Sequence, residues 1–192
     1  MPDPTSKPGK LPQKIDTPKA SGQPGGPRNL GPPRDYALRI ARDGTWYHQG
    51  SPIRRKPLVK LFSTVLRRED DGSYWLVTPA ERGPIQVDDA PFTVVELSVT
   101  GSGRAQALSF RTNLDDWVTA GPKHPIRVAM RPDSEEPSPY ILIRDRLEAL
   151  ILRPVFYELV DRAETKRQDG KDILGLWSQN TFFPLGVLPD PD

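Results

Sequence analysis

Apolar and polar residues alternate through Tyr36-Ala37-Leu38-Arg39-Ile40, and β-forming residues resume at Thr45-Trp46-Tyr47-His48. Between them, Asp43-Gly44 favours a tight turn, so the chain is predicted to open its folded part as a hairpin. Gln49-Gly50-Ser51-Pro52 breaks it. The spacing then becomes helical: Leu58, Leu61, Phe62, Val65 and Leu66 form one stripe, widened by Val59, behind a proline at position 57 that suits a first helical turn. A helix ending around Arg67–Asp70 is predicted, with Arg67 and Arg68 complementing the C-terminal dipole. Asp71-Gly72 turns the chain into a strand, Tyr74 to Thr78. Pro79 to Pro84 reads as a loop and Ile85–Val87 as a further short strand.

From Ala90 the pattern is that of a β-meander. Phe92 to Val99 is a strong strand, Thr100-Gly101-Ser102-Gly103 a turn, and Ala107–Arg111 the return. Leu114 to Thr119 reads as a single helical turn capped by Asn113. Ile126–Met130 is a strand, and Arg131 to Pro139 a polar loop. Strands follow at Tyr140–Ile143 and Leu147–Leu152. A helix opens at Pro154, with Val155, Phe156, Leu159, Val160 and Ala163 on its apolar face. After the Asp169-Gly170 turn come strands at Ile173–Ser178 and Phe182–Val187.

Ile53–Val87 and Ile151–Val187 share one order: basic residue, proline, amphipathic run, Asp-Gly turn, short apolar strand. Pro57 and Pro154 are 97 positions apart, the two Asp-Gly pairs 98, and Pro84 and Pro184 100. The echo implies an internal duplication of a β-β-α-β-β unit. The predicted fold class is α+β, with two similar halves and antiparallel sheets.

Composition adds a boundary. The first 33 of 192 residues hold nine of the 23 prolines and five glycines and no aromatic residue, so residues 1–33 are predicted to be a disordered tail. Folded parts are expected at 34–90 and 91–192. The tail carries five basic and two acidic residues, leaving 22 basic against 23 acidic, so the basic balance does not belong to the fold. The chain contains no cysteine, which excludes disulfides and thiol chemistry. It has no apolar run of about 20 residues and no secretory leader pattern. A soluble cytoplasmic protein with no membrane partner is expected.

Candidate chemistry is sparse. No phosphate-binding loop, nucleophile elbow or zinc-protease motif is present. His48 and His124 are far apart in sequence. The adjacent carboxylates Asp88-Asp89, Asp115-Asp116 and Glu135-Glu136 point to opposite faces if extended, and read as solvated. Arg54, Arg55 and Lys56 stand before the first helix and Arg153 before the second. Cations oppose the dipole there unless an anion such as phosphate sits between them and the free N–H groups. The alternative is that these side chains swing away or pair elsewhere. Among the aromatics, Trp46 and Trp177 have the polar neighbours that suggest exposure and base stacking.

The segments GSPIRRKPLVKLFSTVLRREDDGSYWLVTPAERGPIQVDDAPF, LSFRTN, PYILIRDRLEALILRPVFYELV and GLWSQNTFFPLG, in that order, resemble the bacterial domain-of-unknown-function family 1285 from about Tyr36 to Leu188. The resemblance implies a two-part α+β fold with an internal duplication and a C-terminal half superficially like a pleckstrin-homology barrel. It also implies a cleft between the halves for a nucleotide- or nucleic-acid-like ligand, and a role in signalling. The family defines no catalytic residue and no cofactor. Candidate ligand-binding residues are Thr78, Glu81, Thr112, Asn113, Arg144, Glu148, Arg153, Trp177 and Ser178, joined by Trp46 and Arg55. Strand-end capping and a buried Arg144–Glu148 pair account for several of them equally well. The expectation is a non-enzymatic ligand-binding protein of bacterial signalling. The alternative is a protein–protein adaptor docking through strand edges or the barrel-like half.

Overall fold

The expected hairpin forms. In the computed structural model, which describes residues 32–131 and 134–189, β1 (Leu38–Ile40) runs antiparallel to β2 (Trp46–His48), with Ile40 opposite Trp46. Gly44 closes the turn at φ +83°, a conformation that a side chain disfavours. The two-residue β3 (Ser51–Pro52) continues the meander. Most of the tail lies outside the described residues.

Helix α1 spans Lys56–Thr64 and buries Val59 and Ser63, while Phe62 stacks on the buried Trp46 ring at 6.1 Å. It stops earlier than the apolar spacing predicts. Leu66 is fully buried opposite Leu76, and Leu66–Arg68 form strand β4. Apolar spacing alone did not distinguish a last helical turn from the first inward residue of a strand. The carboxyl end of α1 is nevertheless met by cations. Arg67 donates to Thr64 O at 3.0 Å, and Arg144, far along the chain, donates to Ser63 O at 2.6 Å.

β5 (Tyr74–Val77) and β6 (Arg82–Val87) complete a second meander, and β6 runs parallel to β1. The first sheet therefore has the order β3-β2-β1-β6-β5-β4. β7 (Phe92–Thr100), β8 (Ala107–Thr112), β9 (Trp117–Thr119), β10 (Ile126–Arg131), β11 (Ser134–Arg144) and β12 (Leu147–Ile151) build the second, in the order β10-β11-β12-β7-β8-β9. Here β12 runs parallel to β7. Both six-stranded sheets thus follow one plan, two antiparallel meanders joined by a central parallel pair. The sheets are mixed, not wholly antiparallel as expected.

Two expected elements are corrected. Residues 117–119 form a strand, not a helical turn: the Thr112 hydroxyl accepts the amides of Leu114 (3.2 Å) and Asp116 (3.1 Å), and this turn feeds β9 onto β8. The polar loop expected up to Pro139 is largely the start of β11. Pro137 and Pro139 lie where β11 pairs with β10 but has not yet met β12, so a missing N–H is tolerated.

α2 (Arg153–Val160) packs on β7, and a third antiparallel sheet follows from β13 (Glu164–Gln168), β14 (Lys171–Ser178) and β15 (Thr181–Val187). The helix-plus-meander order α1-β4-β5-β6 returns as α2-β13-β14-β15, which is the echo seen in the sequence. The pairing differs: β6 joins β1, whereas β15 is the edge of its sheet. Among the described residues the fold is mostly β, with two α-helices. One apolar core runs through residues 38–85 and 92–185, including Trp46, Phe92, Phe110, Leu159 and Leu176.

Candidate functional site

A cleft of about 470 Å³ lies between the β1–β2 turn and the surface made by β11, β12 and the start of α2. Leu150, Leu152, Phe156 and two prolines give it an apolar wall, and its cations are Arg42 and Arg153, one from each side. Arg42 is positioned by the C-terminal half. It donates to Ser138 Oγ at 3.3 Å and lies 3.4 Å from Asp89, which also accepts a 2.7 Å hydrogen bond from the Tyr140 hydroxyl. Burial, reinforced by that bond to Asp89, pushes the Tyr140 phenol up to about 12, so it stays a donor at neutral pH.

Arg153 is the first residue of α2, and Leu152 before it supplies no side-chain cap. Its guanidinium pairs with Glu136, both side chains being about two-thirds exposed. A pair so exposed contributes only about 0–1 kcal/mol, so an incoming anion can take Arg153 from Glu136 at small cost. The cleft thus sets a weakly held cation at the start of a helix, where the dipole favours negative charge, with apolar surface beside it.

Of the eleven residues singled out in the sequence, only Arg153 lines this cleft. Trp46 is not exposed; it is 1 % accessible and stacked in the core. Arg55 is the exposed N-cap of α1, and its carbonyl accepts the amides of Leu58 and Val59. The anion expected beside that basic helix entrance is supplied by the chain itself. Asp115 receives Lys56 at 2.7 Å, Lys60 at 3.0 Å and Arg111 at 3.2 Å, and the two lysines hold its carboxyl at about 2.

Thr112 builds the β8–β9 turn. Asn113 ties three segments, donating to Gly44 O and accepting from Thr93 N, both at 3.2 Å. Arg144 lies over the Phe92 ring at 5.1 Å and bonds Ser63 O, whereas Glu148 accepts from Arg127 Nε and Nη2, each at 2.6 Å. The Arg144–Glu148 pair raised as the alternative to ligand contact does not form; each residue has another attachment. Trp177 is half-buried against Phe182, with Arg104 at 4.8 Å and Lys166 at 5.4 Å over its ring. Ser178 is fully buried and bonded on both sides. Thr78 and Glu81 line a different cavity, within the N-terminal half.

Arg42 and Ser138 escaped sequence reading. Arg42 stands beside the conspicuous Asp43-Gly44 turn, yet nothing local marks it as reaching β11. Glu136 was legible only as one of a carboxylate pair. The divergence expected of such pairs holds at 88–89: Asp88 goes to Arg39, Asp89 to Arg42 and Tyr140.

Two family models match, the N-terminal domain of unknown function DUF1285 over residues 30–90 and the C-terminal domain of the protein of unknown function DUF1285 over 91–185. A DUF1285 family protein of Silicibacter pomeroyi DSS-3 is 47% identical, with a TM-score of 0.74 over 88% of this chain and 92% of its own. A DUF1285 family protein of Shewanella baltica OS155 is 25% identical, with a TM-score of 0.50 over 65% of this chain and 90% of its own. No curated protein matches. The chain belongs to the DUF1285 family.

Proposed function

We propose that the protein is a non-enzymatic binder of an anionic, nucleotide-like ligand in the cleft between its halves, serving bacterial signalling in the cytoplasm. The observation that carries this reading is the pair of arginines, Arg42 and Arg153, contributed to one cleft from opposite sides and set beside an uncapped helix start. Phe156 and the prolines offer a base an apolar face. No helix among the described residues is long and apolar enough to cross a membrane.

Thermal-shift titration with nucleoside phosphates and short oligonucleotides tests the proposal. A ligand at 100 times its Kd stabilises by about 2.7 kcal/mol, and Arg42→Ala or Arg153→Ala should abolish the shift. No stabilisation by any phosphorylated ligand at millimolar concentration would overturn it.

The same proposal takes the protein as internally duplicated and its C-terminal half as superficially pleckstrin-homology-like. The recurring order α1-β4-β5-β6 and α2-β13-β14-β15 supports that duplication; comparison of residues 53–87 with 151–187 across family members that finds no shared positions would count against it. The adaptor reading draws on Trp117, 48 % accessible on the edge strand β9. A partner whose capture is lost with Trp117→Ser, and kept after Arg42 and Arg153 are replaced, would favour it.

A further inference from the structure

The N-terminal half contains a second cavity, about 410 Å³, between α1 and the first sheet. Leu38, Leu58, Phe62, Val65 and Leu76 make most of its wall. Its volume lies within the roughly 300–1,000 Å³ common to small-molecule sites, and an apolar wall with a few convergent polar groups is their usual composition. Its polar lining residues are Tyr36, His48, Thr78 and Glu81, and the cleft uses none of them.

Thr78 is fully occupied in shaping its loop. Its hydroxyl donates to Glu81 O at 2.9 Å and accepts the Glu81 and Ala80 amides at 3.0 and 3.3 Å. That loop holds the Glu81 carboxylate at the mouth. Across it, segment 34–36 lies flat on β6 because position 83 is glycine; a Cβ there would come within 1.9 Å of Arg34 O and 2.7 Å of the Tyr36 ring. Tyr36 lines the cavity, and burial together with the Glu81 charge raises its pKa, keeping the phenol protonated.

Glu81 is not without a cation: Arg34 reaches it at 2.9 Å, from outside the cavity lining. Both side chains are substantially exposed, 66% and 44%, and such pairs exchange readily. A negative charge at the mouth of an apolar cavity, with a weakly held internal cation, selects for a ligand that carries its own cation on an apolar body. An anionic head would meet Glu81 on entering, and a neutral head would forgo the ion pair.

We propose that this cavity binds a small amphiphilic amine, its apolar part between Leu58, Phe62 and Leu76 and its ammonium replacing the Arg34 guanidinium on Glu81. Calorimetric titration of the full chain with phenylbutylamine, phenylbutanol and phenylbutyrate, three probes of one apolar body, tests it. The amine should bind more tightly than the alcohol by up to about fivefold, the worth of one half-exposed ion pair, and the carboxylate most weakly. Glu81→Gln should bring the amine down to the alcohol. Arg34→Ala, which removes the internal competitor, should tighten the amine alone. Val65→Phe, which fills the cavity, should remove all three; circular dichroism checks that it folds, and the two mouth variants decide the matter if it does not. Binding of none of the probes, equal binding of all three, preference for the carboxylate, or amine affinity unchanged by Glu81→Gln would overturn the proposal. Arg42→Ala and Arg153→Ala should leave amine binding intact, so the outcome is independent of the cleft.

Discussion

The Ser178 hydroxyl donates to Ala120 O at 2.7 Å and accepts from Leu108 N at 3.0 Å, with the side chain fully buried. It pins the three-stranded sheet to β8. Ser178→Ala leaves a backbone donor and an acceptor unpaired where water does not reach, at a cost of about 1–3 kcal/mol, measured as a lower urea midpoint. A ligand contact would give the opposite signature, an unchanged midpoint with weaker ligand stabilisation. Asp115 makes a different prediction, because its partners are charged and exposed. Its pKa is depressed to about 2 by Lys56 and Lys60, against about 3.9 in an unfolded chain. A depressed acid contributes stability that is fully present above the unfolded value and is lost as pH falls through the folded one. Asp115→Asn should therefore flatten the fall in denaturation midpoint between about pH 4 and pH 2. Asparagine suits the test because Asp115 has φ +64°, a region it tolerates better than most residues.

The end of α1 shows what an element needs beyond its own pattern. Leu66 continues the helical stripe in sequence, yet it is fully buried as the first residue of β4, paired with Leu76. Leu66→Ala should cost about 2–5 kcal/mol, as for other buried leucines, whereas Leu61→Ala, on the 62 % accessible face of α1, should change the unfolding midpoint little. Elements with a strong apolar rhythm were legible: the first hairpin, both helix starts, β5, β7, β8, β14 and β15. β13 was not, because its residues ETKRQ form a mostly exposed edge strand with no apolar alternation to detect. β9 is too short to display a period, and β11 starts in prolines. The candidate site was less legible still. Arg153 stands out locally, as a cation at a helix entrance, but Arg42 and Ser138 come together only through the packing of the β1–β2 turn on β11. Likewise Thr78 and Arg144 both look like cleft residues in sequence, and the fold sends one to the α1 cavity and the other to the carboxyl end of α1.

At the scale of the whole molecule, the two family-model matches meet between residues 90 and 91, while the apolar core crosses that point without interruption. Polar ties cross it as well. Asn113 in the β8–β9 turn donates to Gly44 O in the first hairpin, Arg144 holds the carboxyl end of α1, and Asp115 receives the two lysines of α1. A core shared in this way gives neither part a separate hydrophobic interior to retain when the other melts. The halves should therefore unfold together: far-ultraviolet dichroism and tryptophan fluorescence should give coincident urea transitions, and the calorimetric and van't Hoff enthalpies should agree. Asn113→Ala should move that single transition downward by about 1–3 kcal/mol, because it strands the Thr93 amide and the Gly44 carbonyl. It should not split the transition in two. Two resolved transitions in the unaltered chain would mean that the shared core is too weak to couple the halves, and that the cleft between Arg42 and Arg153 opens and closes on its own.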